Sequence, residues 1–492
     1  MTTTRALRRS LALLVLVALI GGVRAAPEEL RYTDQRVVVA GVERTVRVPE
    51  GFVFEVAATG LAGPRLITIG PGGDMFIGSR SGNVYRLQAP FDRAETLVQL
   101  PGYPHSVAFR DGEILIARTS GLYRAPYAAG QAQIPAATVE LVARLPSQTG
   151  GHNSRTVKVG PDGRTYVALG IAGNCSDEFL GPGYPFERQR GGIAVLAQGA
   201  SGPVWEPFGN GLRNPVGFAW RHSTGAMYMV NNGPDHLGFE EPREYFSKVE
   251  PGSFHGMPWY QLIEGELRRD NCQGSQPPLP ASQVVRPSLT FDARNAPMAV
   301  EFVAPRQLGG RFTGDAVVAL RGSWATDPTG GRAGDPASRR HPKLVLVRFE
   351  SGNPVRIDDL VTGFQLPDGQ RWARPVGVVL APDGALYFTS DEGANFLCRL
   401  RLSPMTVSRL GQVASKASTS SGRGGSAPGR VALTAAAALA RSRSLRKGSP
   451  ARAPMSARVR AREVSSPASN AALKASPHPT VSTTSTLSPG RS

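Results

Sequence analysis

One local figure constrains this chain more than any other: a turn built on glycine, usually Asp-Gly or Thr-Gly, feeding a short apolar strand. It occurs as GPGGDMFIGSRSGNVYRL (Gly70 to Leu87), RDGEILIARTSGLYRA (Arg110 to Ala125) and GPDGRTYVALG (Gly160 to Gly170). It returns as STGAMYMVNNG (Ser223 to Gly233), FTGDAVVALRGSW (Phe312 to Trp324) and APDGALYFTSDEGANFLCRL (Ala381 to Leu400). Each is a hairpin signal with an alternating, period-two strand. Six of them, spaced by several tens of residues with no helical periodicity between, point to an all-β, six-bladed β-propeller rather than a two-sheet sandwich. The run RVVVAGVERTVRV, Arg36 to Val48, is expected to complete the last blade, because closing the ring removes exposed sheet edges. The longest insertions follow Gly170 and lie between Gly256 and Pro297, and long loops in a compact repeat fold tend to carry function.

The two ends differ from this body. Residues 1–25 place Arg5, Arg8 and Arg9 before an apolar run, Leu11 to Ile20, and end in Val23-Arg24-Ala25. That is the order of a secretory signal peptide, and the apolar run is short for a membrane anchor. A propeller at 27–402, exported to the periplasm or beyond and carrying no transmembrane segment when mature, is expected. From Ser403 onward the chain has no aromatic residue and is rich in Ser, Ala, Arg and Pro, so residues 403–492 are expected to be disordered.

The formal charge of +18 suggests nucleic acid at first sight. The tail alone holds 14 Lys or Arg against one acid, Glu463, and the leader four arginines, which leaves the body near +1. A nearly neutral body has no basic footprint for nucleic acid. Of three cysteines, Cys175 and Cys272 lie in polar loops and are the expected disulfide in an oxidising compartment, while Cys398 sits in an apolar strand and is expected to be buried and free.

Chemistry is concentrated in a few loops. His152, in GGHNSRTVKV, precedes a strand figure; it is either a general base near neutral pH or a histidine bonded to backbone. Arg213-Asn214, in GNGLRNPVGFAW, offers a cation and an amide at a stiff turn, suited to an anionic oxygen or to bracing carbonyls. Arg321 and Arg374 stand at equivalent ends of other strand figures, and three arginines without matching acids call for a polyanionic ligand. Gly233-Pro234 carries carbonyls acceptable to calcium, or is only a turn. The histidines show no HxH, HExxH or HxxxH spacing for zinc.

Together these motifs make the chain similar to the glucose/sorbosone dehydrogenase family of six-bladed propellers that use pyrroloquinoline quinone (PQQ). The likeness runs from VPEGFVFEV at Val48 to Leu402 through PHSVAF at Pro104, the His152 loop, GLRNPVGFAW, NNGPD, FHGMPW at Phe254, LRGSW at Leu320 and RPVGVVLAPDGALYFTSDEG at Arg374. The resemblance implies His152 as catalytic base, with Arg213 beside the reacting quinone carbonyl. It implies Asn214, Arg321 and Arg374 as cofactor contacts, and Gly233 and Pro234 as carbonyl ligands of Ca2+. After Arg374 the sequence continues Pro375-Val376-Gly377, without the second arginine and aspartate of glucose dehydrogenases, which places it nearer the sorbosone and aldose branch. The His-rich lid of that branch is replaced near Arg294-Asn295-Ala296-Pro297.

The implied activity is oxidation of a sugar, as aldose, sorbosone-like aldehyde or hemiacetal, by base-assisted hydride transfer to PQQ, with a quinone or cytochrome as external acceptor. Two other readings share the fold: a metal-dependent lactonase using Asn153, Asn232, Asp235 and Asp391, and a non-catalytic propeller that only binds.

Overall fold

The computed structural model describes residues 29–147, 151–323, 334–392 and 395–408. The leader at 1–25 and the tail beyond residue 408 lie outside the described residues, as do Gly150, Trp324 and Gly393 of the motifs above. Among the described residues, each of the six turn-strand figures becomes the second strand of a blade of four antiparallel strands, and the third blade adds a fifth strand, Ser253–Phe254, in parallel at its outer edge. These second strands are Met75–Ser79, Glu113–Arg118, Thr165–Leu169, Met227–Asn231, Ala316–Leu320 and Leu386–Ser390. The innermost strands are Pro64–Ile69, Ser106–Arg110, Arg155–Val159, Gly217–Trp220, Pro297–Phe302 and Pro375–Leu380.

The expected alternation of apolar and polar faces does not hold in these strands. Met75–Ser79, Thr165–Leu169, Met227–Asn231, Ala316–Leu320 and Leu386–Ser390 are buried along their whole length. Blades stack face to face, so a middle strand has no solvent side and reads as a near-continuous apolar run. Val317, Leu344, Leu360, Phe388 and Leu400, for example, fill one shared core with Phe54 and Trp372. Each such side chain contributes about 1.5–3 kcal/mol by leaving water.

Side-chain hydroxyls and an amide tie neighbouring blades together along the inner strands. Thr68 Oγ1 donates to Val107 O at 2.7 Å, Ser106 Oγ to Arg155 O at 2.9 Å, and Thr156 Oγ1 to Val216 O at 2.5 Å. Asn232 Nδ2 donates to Pro297 O at 2.7 Å, and Thr389 Oγ1 to Arg65 O at 2.6 Å. The close approach needs residues without side chains: a Cβ on Gly377 would lie 2.5 Å from Arg65 O, and one on Gly217 2.7 Å from Met298 O.

Closure of the ring differs from the sequence expectation. The strand that completes the last blade is Phe52–Ala58, antiparallel to Leu397–Leu402, not the run 36–48. That run belongs to a separate hairpin, Tyr32–Val39 with Val42–Pro49, turned at Gly41 with φ 80°. Its first strand is largely exposed, but Val46 and Val48 are fully buried in the core that also holds Leu360 and Phe54. An Arg47–Thr362 bridge fastens it beside the outer strand of the fifth blade. With two faces of unequal polarity, the hairpin suits the outside of the ring rather than the inside of a blade.

Both long insertions lie where expected and pack on each other. The loop between Thr165–Leu169 and Gly192–Gly199 carries Phe179, and the segment after Ser253–Phe254 carries Trp259, a hairpin of Tyr260–Ile263 with Glu266–Arg269, and Tyr260 itself. Phe179, Phe254, Trp259 and Tyr260 form a satellite core, and a Cys175–Cys272 disulfide joins the insertions. Cys398 is buried and free, as its strand pattern suggested.

Candidate active site at one rim of the propeller

In antiparallel neighbours, the start of the inner strand and the end of the second strand fall at the same rim. Residues at the starts (Arg65, Tyr103, His152, Asn214, Ala296, Arg374) and at the ends (Arg80, Asn174, Gly233, Arg321) therefore converge. All of them line one cavity of about 760 Å³, and every blade contributes. The cavity brings together His152, Arg213, Asn214, Gly233, Arg321 and Arg374. Pro234 and Asp391 are the sequence-derived candidates not on its wall.

His152 is held from both sides. Its Nδ1 donates to Ile171 O at 2.5 Å, which leaves Nε2 as the lone-pair nitrogen. Its own carbonyl accepts from Arg155 Nη1 at 2.9 Å and Arg190 Nη2 at 3.2 Å, two arginines with no solvent exposure. Burial, reinforced by the neighbouring Arg213 charge, pushes the imidazole pKa down to about 3. It is neutral at pH 7 and able to accept a proton at Nε2. Gly170 completes the seat: a Cβ there would lie 2.6 Å from His152 Cβ and 2.8 Å from Asn214 Oδ1.

Arg213 is buried, and burial lowers its pKa to about 10, so it stays charged. Its Nε donates to Asn174 O at 3.0 Å and its Nη2 to Asn174 Oδ1 at 2.8 Å, with Asp235 Oδ2 at 3.6 Å. Asn174 is the residue before Cys175, so the disulfide anchors the loop that orients this guanidinium. Asn214 is fixed through its backbone, N–H to Asn231 Oδ1 at 2.9 Å and carbonyl to Asn232 N at 3.2 Å.

The arginines are not without acids, contrary to the sequence expectation. Asp391, whose side chain is fully buried, accepts from Arg65 Nη1 at 2.5 Å and Arg321 Nε at 2.9 Å, and Arg374 Nη1 pairs with Glu392 at 2.5 Å. Burial alone would raise Asp391, but Arg65 and Arg321 outweigh it and hold the carboxyl at about 2. Burial raises Glu244 to about 8, so it is protonated at neutral pH. A cationic surplus remains: Arg65, Arg80, Arg213, Arg294, Arg321 and Arg374 line the cavity, with Asp235, Asp391 and Glu392 as their acidic partners.

This geometry also bears on the rival metal reading. Asn153, Asn232 and Asp235 lie on the wall, but Asp391 is committed to guanidiniums. Among the described residues the one His/Cys/Asp/Glu cluster of metal-binding size is Cys175, His236 and Cys272, and its sulfurs are joined to each other. The sequence reading passed over Arg65, Arg80, Tyr103, Asn174 and Glu244 as site residues. Gly63-Pro64-Arg65 carries the punctuation of Asn214-Pro215 and Arg374-Pro375 before inner strands, and aligning those starts would have exposed Arg65.

No protein-family model matches the chain. A Borreliella burgdorferi protein described as uncharacterized is 22% identical over 370 residues, covering 72% of this chain and 90% of its own length. Among solved structures, the holo PQQ domain of pyranose dehydrogenase from Coprinopsis cinerea matches with a TM-score of 0.58 at 19% identity, over 73% of this chain and 97% of that one. This chain shares its fold. A calcium structure of a Carbohydrate-Active Enzymes Family AA12 protein from Trichoderma reesei matches with a TM-score of 0.60 at 19% identity, over 77% and 100%. The soluble aldose sugar dehydrogenase of Escherichia coli, in its apo form, gives 0.51 at 16%, over 72% and 100%. The six-bladed ring deduced from the repeat is thus the fold this chain shares with these structures.

Proposed function

We propose that this protein is an exported dehydrogenase that oxidises a sugar, as aldose, sorbosone-like aldehyde or hemiacetal, with PQQ as hydride acceptor. The observation that carries the proposal is the pairing, on one cavity wall, of a neutral imidazole with a free Nε2 and a buried guanidinium. The cavity size is that of small-molecule sites, and its cationic surplus suits a cofactor bearing several carboxylates. Arg65, Arg321, Arg374 and Asn214 are the residues that would hold it. PQQ, when bound, supplies the two-electron acceptor chemistry.

The chain's own groups then have defined tasks. His152 Nε2 takes the proton of the substrate hydroxyl as the carbon-bound hydrogen leaves as hydride, so the substrate becomes the carbonyl product and the proton rests on the imidazole. The Ile171 carbonyl fixes the tautomer that makes this possible. Arg213, buried and charged, would stand beside the bound acceptor and would stabilise negative charge developing on it. An external quinone or cytochrome would reoxidise the acceptor.

Titration of the purified protein with PQQ, followed by intrinsic fluorescence, tests the reading; dye reduction with a panel of aldoses and sugar aldehydes follows. Saturable binding and substrate-dependent reduction support it, and absence of binding ends it in favour of a propeller that only binds. Gly170→Ala is expected to lower turnover about 100-fold and to weaken cofactor binding as well, because an extra methyl displaces both the base His152 and the cofactor contact Asn214. Unchanged steady-state kinetics would contradict that placement.

A further inference from the structure

The turn after Met227–Asn231 is where the resemblance places calcium, and it already holds a cation. Arg294, 3% exposed, reaches it from the loop between Leu289–Phe291 and Pro297–Phe302. Its Nη1 donates to Pro234 O, and its Nη2 donates to Gly238 O and, at 3.0 Å, to Glu241 O. Asp235 Oδ1 lies 3.6 Å from Nη1. Three carbonyls and a carboxylate around one point form the all-oxygen donor set that a hard cation such as calcium takes. Here the planar N–H donors of a guanidinium use it.

The arginine is delivered rigidly. Arg294 and Ala296 both adopt left-handed backbone conformations, φ 71° and 52°, which side-chain-bearing residues avoid unless their surroundings impose them. The surroundings do so: Ala296 N donates to Glu244 Oε2 at 2.6 Å, Arg321 N to Ala296 O at 3.0 Å, and Gly322 N to Asn295 O at 2.8 Å. The strands that flank the cavity thus hold the loop with its side chain inserted. A calcium ion would have to take carbonyls from a buried, permanently charged group and then share the pocket with it, which Coulomb repulsion opposes. The Gly233-Pro234 turn therefore does not fit a calcium ion in this chain.

We infer that Arg294 replaces the metal as the fixed cation of this turn, and that ligand binding in the cavity needs no divalent ion. The ligand arm of this inference rests on the PQQ reading above; the metal arm does not. The test compares full-length protein in excess CaCl2 and in EGTA, by thermal unfolding and by PQQ titration. Wild type is expected to show the same Tm and a PQQ Kd equal within about twofold in both. Arg294→Ala, which frees the carbonyls and Asp235, is expected to become calcium-stabilised, whereas Arg294→Lys stays indifferent. Arg294→Gln serves in place of the alanine variant if that one does not fold.

A wild-type Tm that rises with calcium, or PQQ affinity that falls about tenfold or more in EGTA, would overturn the inference. So would a folded Arg294→Ala or Arg294→Gln protein that ignores calcium, since the turn would then be no cation site. If PQQ binds in neither buffer, the cofactor reading fails while the unfolding comparison still decides the role of Arg294.

Discussion

His152→Gln is expected to cut turnover by about 10³-fold while PQQ binding changes little, since glutamine fills the space but takes no proton. The pH profile separates this from mere loss of packing. The imidazole sits at about 3 because burial and Arg213 disfavour its charged form, so the base is already neutral across the mildly acidic range. The acid limb of kcat/KM for wild type should therefore fall well below the usual histidine value of about 6.5, with a flat profile from about pH 5 upward. A limb near 6.5 would mean that His152 titrates in water and is not the seated base described. A His152→Gln protein with wild-type turnover would remove the imidazole from the chemistry altogether.

Asp391→Asn is expected to cost about 3–5 kcal/mol of stability, the range for breaking a buried pair and stranding its partner. Three guanidiniums lose a counter-charge at once: Arg65, whose side chain is 2% exposed, Arg321, at 16%, and the more exposed Arg80, 3.8 Å away. For a propeller of this size that is a drop of about 5 °C in Tm, readable by calorimetry or by denaturant titration. The linkage has a definite sign. The folded carboxyl sits at about 2, below its unfolded value of about 3.9, so its contribution is complete above roughly pH 4 and is lost as pH falls through about 2. The asparagine variant should lack that acid-labile component. Equal acid stability of the two proteins would show that Asp391 is not the clasp of these arginines.

The sequence revealed the ring because glycine turns and apolar strands are local signals, and six of them sat at the expected places. The rim residues His152, Arg213, Asn214, Arg321 and Arg374 were legible because each lies beside such a turn. What stayed hidden depends on partners distant in sequence. Arg65 meets Asp391 across 326 residues, and nothing near either one announces the other. The arginines therefore looked unmatched until the fold supplied their acids. Arg294 was visible as a departure from a lid pattern, but only the three-dimensional path of its loop takes it to Pro234. Ring closure was misplaced for a related reason: RVVVAGVERTVRV has a stronger alternating pattern than FVFEVAA, but which of them completes the blade is decided by pairing with the distant strand Leu397–Leu402.

Phe52–Ala58 paired with Leu397–Leu402 carries a consequence for biogenesis. The first blade strand synthesised waits for the last, so no ribosome-bound fragment ending before Leu397 can finish the assembly. Until then Phe52–Ala58 is an unclaimed edge, open to pairing with another nascent chain. Premature termination should thus yield insoluble protein rather than a smaller working unit.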